Sequence, residues 1–161
     1  MNIKGINMLM SSKKAFTMVE LIFVIVVIGI LTAIAVPKFA ATRDDATITK
    51  AIATVGAVRS AIATERQKRI LRGDFTAIGD LALAGGNNTP IFDFFDGNNT
   101  LPVLEYSLRS CASGTSQGCW VRTDETTYTY TMPVSGTAVF TLSNNRFDCP
   151  SNDANCQLLT Q

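Results

Sequence analysis

The stretch KKAFTMVELIFVIVVIGILTAIAVPKF, Lys13 to Phe39, decides how this chain is read. From Leu21 to Val36 it is one apolar run, and Phe16 to Val19 extend it to a length that spans a bilayer as a helix. Its Leu, Ile, Phe and Val residues, at roughly 0.3 to 0.6 kcal/mol each, favour insertion by about 4 to 7 kcal/mol. Glu20 costs at most about 2.5 to 3.5 kcal/mol, and less near the edge where it stands. The segment therefore inserts despite the acid. Lys4, Lys13 and Lys14 precede it, and the positive-inside bias holds that end in the cytoplasm while sending residues after Pro37 outward.

Three readings compete for Glu20. A plain signal anchor leaves the acid without a purpose. A cleaved secretory signal would use Ala33-Ile34-Ala35 as its small-residue cut site, but the run is longer than such a segment and carries a carboxylate near its start. The third reading makes the acid necessary. If a peptidase cuts after Ala15, the α-amine of Phe16 becomes a positive charge four residues before Glu20. An amine and a carboxylate in hydrocarbon must pair or neutralise. They can do so at i, i+4 spacing within one helix, or between a carboxylate and the amine of an axially shifted neighbouring copy.

In these residues the chain resembles the N-terminal signature of type IV pilins and of the pseudopilins of type II secretion systems: a basic leader, a small residue at the cut, Phe-Thr, a Glu, a long apolar helix, then Pro. The resemblance covers Lys13 to Asp45. It implies that residues 1–15 are a cleaved leader with Ala15 as its last residue. Prepilin peptidase would make Phe16 the N-methylated mature terminus, and Glu20 would be the assembly carboxylate. Ala15 departs from the Gly usual before the cut. The resemblance further implies an inner-membrane, single-pass precursor with its body in the periplasm. It would be drawn by an assembly platform into a filament of its own copies and other pilins or pseudopilins. Pro37 would mark where the helix kinks and can extend in the fibre.

The rest of the chain is read from its residues. Past Pro37, which breaks or kinks most helices, Ile48, Ala51, Ile52, Val55, Val58 and Ile62 recur at spacings of three and four, with Lys50, Arg59 and Glu65 on other faces. An amphipathic helix to Arg72 is expected, closed by Gly73. Arg66, Lys68, Arg69 and Arg72 would form a solvated end matched to the helix dipole. Gly29 and Ala33 form a small pair that permits close helix approach. Residues 73–100 are punctuated by Gly-Gly, Asn-Asn and Thr-Pro and read as a structured loop with a short helix near Thr76 to Ala84. LPVLEYSLR, CWVRT, TTYTYTM and GTAVFTL alternate as strands. The expected fold class is α+β: a long N-terminal helix, transmembrane over 16–37 and amphipathic over 38–72, packed on a small antiparallel sheet of three or four strands within 73–161, pilin-like. Phe140, Val139, Tyr128, Tyr130 and Trp120 read as packing residues.

Chemistry is mostly excluded. The 161 residues carry 14 Lys and Arg, 13 Asp and Glu, and no histidine, for a net charge of +1. Without histidine, Ser-His-Asp and Cys-His catalysis fall away, and the balanced charge gives no field for nucleic acid. No enzyme, cofactor or metal site is expected. Cys111, Cys119, Cys149 and Cys156 follow a membrane segment, so disulfides in an oxidising compartment are expected. Short loops favour Cys111 with Cys119 and Cys149 with Cys156, against the alternative of free structural thiols. Asp148, Asn152 and Asp153 offer oxygens to calcium, but a turn held by Asx hydrogen bonds accounts for them as well. Asn98-Asn99-Thr100 is a glycosylation sequon with Asp96 two residues upstream, which Asn87-Asn88-Thr89 lacks. The rival to a filament subunit is a bitopic, membrane-anchored periplasmic binding domain that never polymerises.

Overall fold

A computed structural model describes residues 16–111 and 117–160, with the side chain of Ala40 left aside. The chain divides into two compact units, residues 1–40 and 41–161. The helix α1 (Met18–Leu71) begins in the first and ends in the second, running through Pro37. The cleavage position Ala15 lies outside the described residues.

The described part of the first unit, residues 16–40, is helical from Met18 onward and exposes mostly apolar side chains. Thr17 caps it, its Oγ1 accepting the Glu20 N–H at 3.2 Å, which satisfies one of the donors a helix start leaves orphaned. Thr32, the polar residue inside the run, donates its hydroxyl to the Ile28 carbonyl at 2.7 Å and so hides its own polarity. The stretch has a mean hydropathy of 2.9 and is long and apolar enough to cross a membrane.

The second unit is built on the later turns of α1. Ala51, Val55, Val58 and Ile62 are buried, with Ile48 and Ile52 partly covered. The spacing of four, three and four aligns them on one stripe. The helix ends as expected at Gly73, whose φ is +78°. Gly73 N–H bonds the Ile70 carbonyl and Asp74 N–H the Arg69 carbonyl, both at 2.9 Å. Those two bonds satisfy carbonyls that would otherwise lack donors, and glycine alone takes the left-handed φ without strain.

Four antiparallel strands follow in chain order: β3 (Cys119–Arg122), β4 (Thr127–Thr131), β5 (Thr137–Ser143) and β6 (Arg146–Asp148). Strict alternation puts Ala138, Phe140 and Leu142 of β5 inward and the residues between them outward. Val139 is accordingly 40% exposed, a correction to its reading as a packing residue. Asn144 and Asn145, both at positive φ, close the β5–β6 hairpin in two residues. Inside, Phe92, Trp120, Tyr128, Phe140 and Phe147 meet ring to ring, Phe140 and Phe147 stacked at 4.9 Å.

Three elements differ from expectation. The run LPVLEYSLR contributes β2 (Leu108–Arg109), which pairs with β1 (Pro90–Ile91) in a separate two-stranded sheet, and an isolated bridge from Pro102 to Phe94; bends over residues 103–106 separate the two. The fourth strand of the main sheet is β6, which lies beyond the four runs expected as strands. The helix near Thr76 to Ala84 does not form: Asp80 and Asp96 carboxylates take the N–H groups of Gly79, Asp80, Leu81 and Ala82, which competes with helical bonding. Beyond Cys149, α2 (Ala154–Leu159) is a single helical stretch capped by Asp153, and it buries Cys156 and Leu159.

Candidate functional site

The candidate site is the start of α1, Phe16 to Phe39. Phe16 is 80% exposed, and every large apolar side chain from Met18 to Phe39 is likewise exposed. Glu20 is exposed among them and makes no salt bridge among the described residues. Thr17-Met18-Val19-Glu20 has the T-x-x-E spacing of a capping box, legible in the sequence and passed over there. Its first half is present, the Thr17 hydroxyl on the Glu20 amide. The backbone need of Glu20 is therefore met locally, while its carboxylate keeps acceptor capacity for a cation from outside the chain.

The second unit keeps its charges to itself. Glu65, expected on a face other than the apolar stripe, is buried, and so is Arg69, expected in a solvated basic end. Arg69 donates to Glu65 at 3.1 Å and to Asp96 at 2.6 Å. Burial alone would lower the Arg69 pKa, but its bonds and charge contacts with Asp96 and Glu65 outweigh that and raise it. The correction has a plain cause: residues 65 and 69 are i, i+4 on the helix face that meets the loop at Asp96, a loop whose path was not legible in the sequence. A second cluster joins Arg122 to both carboxylate oxygens of Asp80, and the Tyr128 hydroxyl donates to Asp80 at 2.7 Å while accepting from Leu81 N–H. Burial, and then the Asp80 carboxylate, push the Tyr128 phenol up from its ordinary 10.0.

Cys111 is bonded to Cys119, and Cys149 to Cys156. Two of the three residues considered for calcium have other partners: Asp148 pairs with Arg59 and Arg146, and Asp153 accepts from the amides of Asn155 and Cys156. Among the described residues no group of three His, Cys, Asp or Glu is placed to hold a metal ion. A groove of about 460 Å³ is lined by Arg59, Asn145, Arg146 and Asp148 among others, and its carboxylate is already paired to two guanidinium groups.

These observations define a class of protein. The prokaryotic N-terminal methylation motif matches residues 10–36, so the chain carries a prepilin-type N-terminal segment on an α+β body, and in both respects it is pilin-like. Among known proteins it is similar to the type IV narrow pilus major component PilA5 of Thermus thermophilus, 54% identical over 59 residues, which is 35% of this chain and 51% of that protein. Two fimbrial proteins of Pseudomonas aeruginosa are each 38% identical over 52 residues, 32% of this chain and 34% of theirs. The chain thus spans about half the length of the first of these relatives and a third of the others. No solved structure matches it closely enough to count as similar.

Proposed function

We propose that this chain is a structural subunit of a type IV pilus-like or type II secretion pseudopilus filament, not an enzyme. The observation that carries the reading is an entirely exposed apolar helix, bearing the prepilin-type motif and one carboxylate, attached to a body that buries its own core. Such a helix is soluble only in lipid or against other helices.

The steps follow from charge. The precursor sits in the inner membrane with Lys13 and Lys14 inside and the body in the periplasm. Prepilin peptidase cuts after Ala15, and the freed α-amine of Phe16 is N-methylated, which keeps its positive charge. As a copy leaves the lipid for the growing fibre, Glu20 loses contact with the interface and pairs with the Phe16 ammonium of the neighbouring copy. A misplaced copy leaves both charges unpaired in an apolar surround, which costs several kcal/mol and so enforces register. The contact is heterologous and does not close, so it propagates as a filament. Pro37 lacks the N–H that would bond the Ala33 carbonyl, which makes it the place where the helix gives when the body is repositioned.

The test is paired. Mass spectrometry of the mature protein is expected to show a chain beginning at methylated Phe16. Glu20→Gln should keep the protein in the membrane fraction and abolish or sharply reduce filaments. A mature terminus at Met1 together with normal membrane display and no fibres would identify a bitopic anchor instead. Wild-type filament yield from Glu20→Gln would remove the charge pairing from the account.

A further inference from the structure

We infer that Asn98 is an N-glycosylation site, modified by an oligosaccharide transferred from a polyprenyl-diphosphate donor on the outer side of the membrane. Asn98 is exposed on the loop after the 3-10 turn Phe95–Gly97. Its Oδ1 accepts both the backbone N–H of Thr100 at 3.1 Å and the Thr100 hydroxyl at 2.7 Å. Among the described residues its Nδ2 donates to nothing. The sequon's asparagine and threonine are thus joined side chain to side chain, with the reactive nitrogen left free.

The turn itself does not require asparagine. Two sister turns have the same geometry with aspartate in that place: Asp74 accepts from Thr76 N and Oγ1, and Asp124 from Thr126 N and Oγ1. Only an amide at the first position adds a nitrogen that can be modified. The other sequon, Asn87-Asn88-Thr89, serves as an internal control. There the Thr89 hydroxyl donates to the Gly86 carbonyl and contacts the Ser110 hydroxyl, and the Thr89 N–H is held by Ser110 as well. Of these contacts the one to Gly86 is local, three residues away, and it already engages the Thr89 hydroxyl elsewhere than on Asn87, whereas the Thr100 hydroxyl closes on Asn98 itself; with the acid Asp96 two residues upstream, which Asn87 lacks, that singles out Asn98.

In the transfer, Nδ2 of Asn98 attacks the anomeric carbon of the donor sugar and a C–N bond forms. The anomeric C–O bond breaks, polyprenyl diphosphate leaves, and Nδ2 gives up one proton. Asp96 bears on timing. Its carboxylate accepts from Gly79 N at 2.6 Å and Asp80 N at 3.0 Å and is paired with Arg69, so a transferase that reads the acid two residues upstream meets it free only before the body closes. The local Asn98–Thr100 turn needs no tertiary partner and is available at that stage. The inference rests on the proposed orientation only for its compartment.

The experiment uses the full chain purified from membranes of its own host. The peptide containing Asn98 is expected to carry added mass in glycan-sized increments, and the peptide containing Asn87 none. Asn98→Asp keeps the turn, by analogy with Asp74 and Asp124, and should lose the added mass completely. Thr100→Ala should lose it too, and Asn87→Gln should leave it unchanged. An unmodified Asn98 peptide in host-derived protein overturns the inference, as does added mass that survives Asn98→Asp. Neither result touches filament formation, which is scored separately by the Glu20 variant.

Discussion

In the first unit Phe23 and Leu31 keep 68% and 62% of their surface exposed, whereas in the second Phe140 and Phe147 keep 0% and 1%. The residue types are alike; what differs is where their partners are. Residues 41 onward find theirs within the chain: a helix stripe, a sheet, two disulfides, a buried charge cluster at Glu65 and Arg69 and a half-buried one at Asp80 and Arg122. The large apolar side chains of residues 16–39 stay exposed. Their burial is supplied by lipid or by other molecules, so substitutions in the two regions should register in different assays.

The largest effect should come from emptying the second core. Phe140→Ala removes a fully buried ring stacked on Phe147 and is expected to cost about 3–5 kcal/mol. The matching change Phe23→Ala should leave the stability of the body unaltered and act only on membrane retention or filament yield. Trp120, the single tryptophan, is buried in that core, so its fluorescence during chemical denaturation of the full chain in detergent reads the body alone. Equal losses in both variants would break the comparison, since they would mean that the exposed helix is part of the folded core.

Next in size is the buried ion cluster. Arg69→Met keeps the length of the side chain but leaves Glu65 buried without its cation and Asp96 without its pair, at a cost of about 3 kcal/mol. The double change Arg69→Met with Glu65→Met should recover most of that loss, because apolar residues of similar volume replace buried ion pairs with little penalty. The same denaturation curve reads it. If the single variant loses less than about 0.5 kcal/mol, the pair is solvated and the second unit is less self-contained than its burial implies.

A smaller effect is expected at Gly118. A Cβ there would lie 2.4 Å from Cγ2 of Thr47 on α1, at a φ of +72°. Gly118→Ala should cost roughly 1–3 kcal/mol through strain and the displaced helix contact. Pairing it with Thr47→Ser, which deletes the clashing methyl, should return part of the loss. A Gly29→Ala change in the first unit meets nothing within 4 Å and should be silent in the same measurement.

How far the sequence foretold this follows from the range of the interactions involved. The exposed helix was legible because it depends on one long apolar run and one cap, and the stripe Ala51, Val55, Val58, Ile62 because helical periodicity is local. The cysteine pairs were legible because their loops are short. Glu65 and Arg69 were misread because what buries them is a loop nearly thirty residues away, roughly the separation over which periodicity says nothing. The missing helix at Thr76 to Ala84 has the same origin, since Asp96 reaches back to take its amides. Strand β6 escaped notice because three residues are too few to show alternation. At the candidate site, Glu20 stood out as an acid in an apolar run; the cap that Thr17 gives it needed only the T-x-x-E pattern.

The smallest effect is also the cleanest division between the units, because all three tyrosines lie after residue 41. Burial raises the pKa of both Tyr128 and Tyr130, and the Asp80 carboxylate adds to it at Tyr128. In the unfolded chain each phenol ionises near 10, while in the folded body it stays protonated. Above pH 10 the unfolded state therefore binds fewer protons than the folded one, and stability falls as pH rises. Below pH 10 both states are protonated and the contribution is fully present. The loss at pH 11 should be on the order of 1 kcal/mol at Tyr128, where burial and the Asp80 carboxylate act together, and smaller at Tyr130. Tyr128→Phe gives up the bond to Asp80 and is less stable at pH 7, but its decline between pH 10 and pH 11 should be less than half that of the parent. An undiminished decline would place the alkaline sensitivity elsewhere than in the Asp80–Tyr128 cluster, and a decline in membrane retention over the same range would place it in the first unit, which has no phenol to lose.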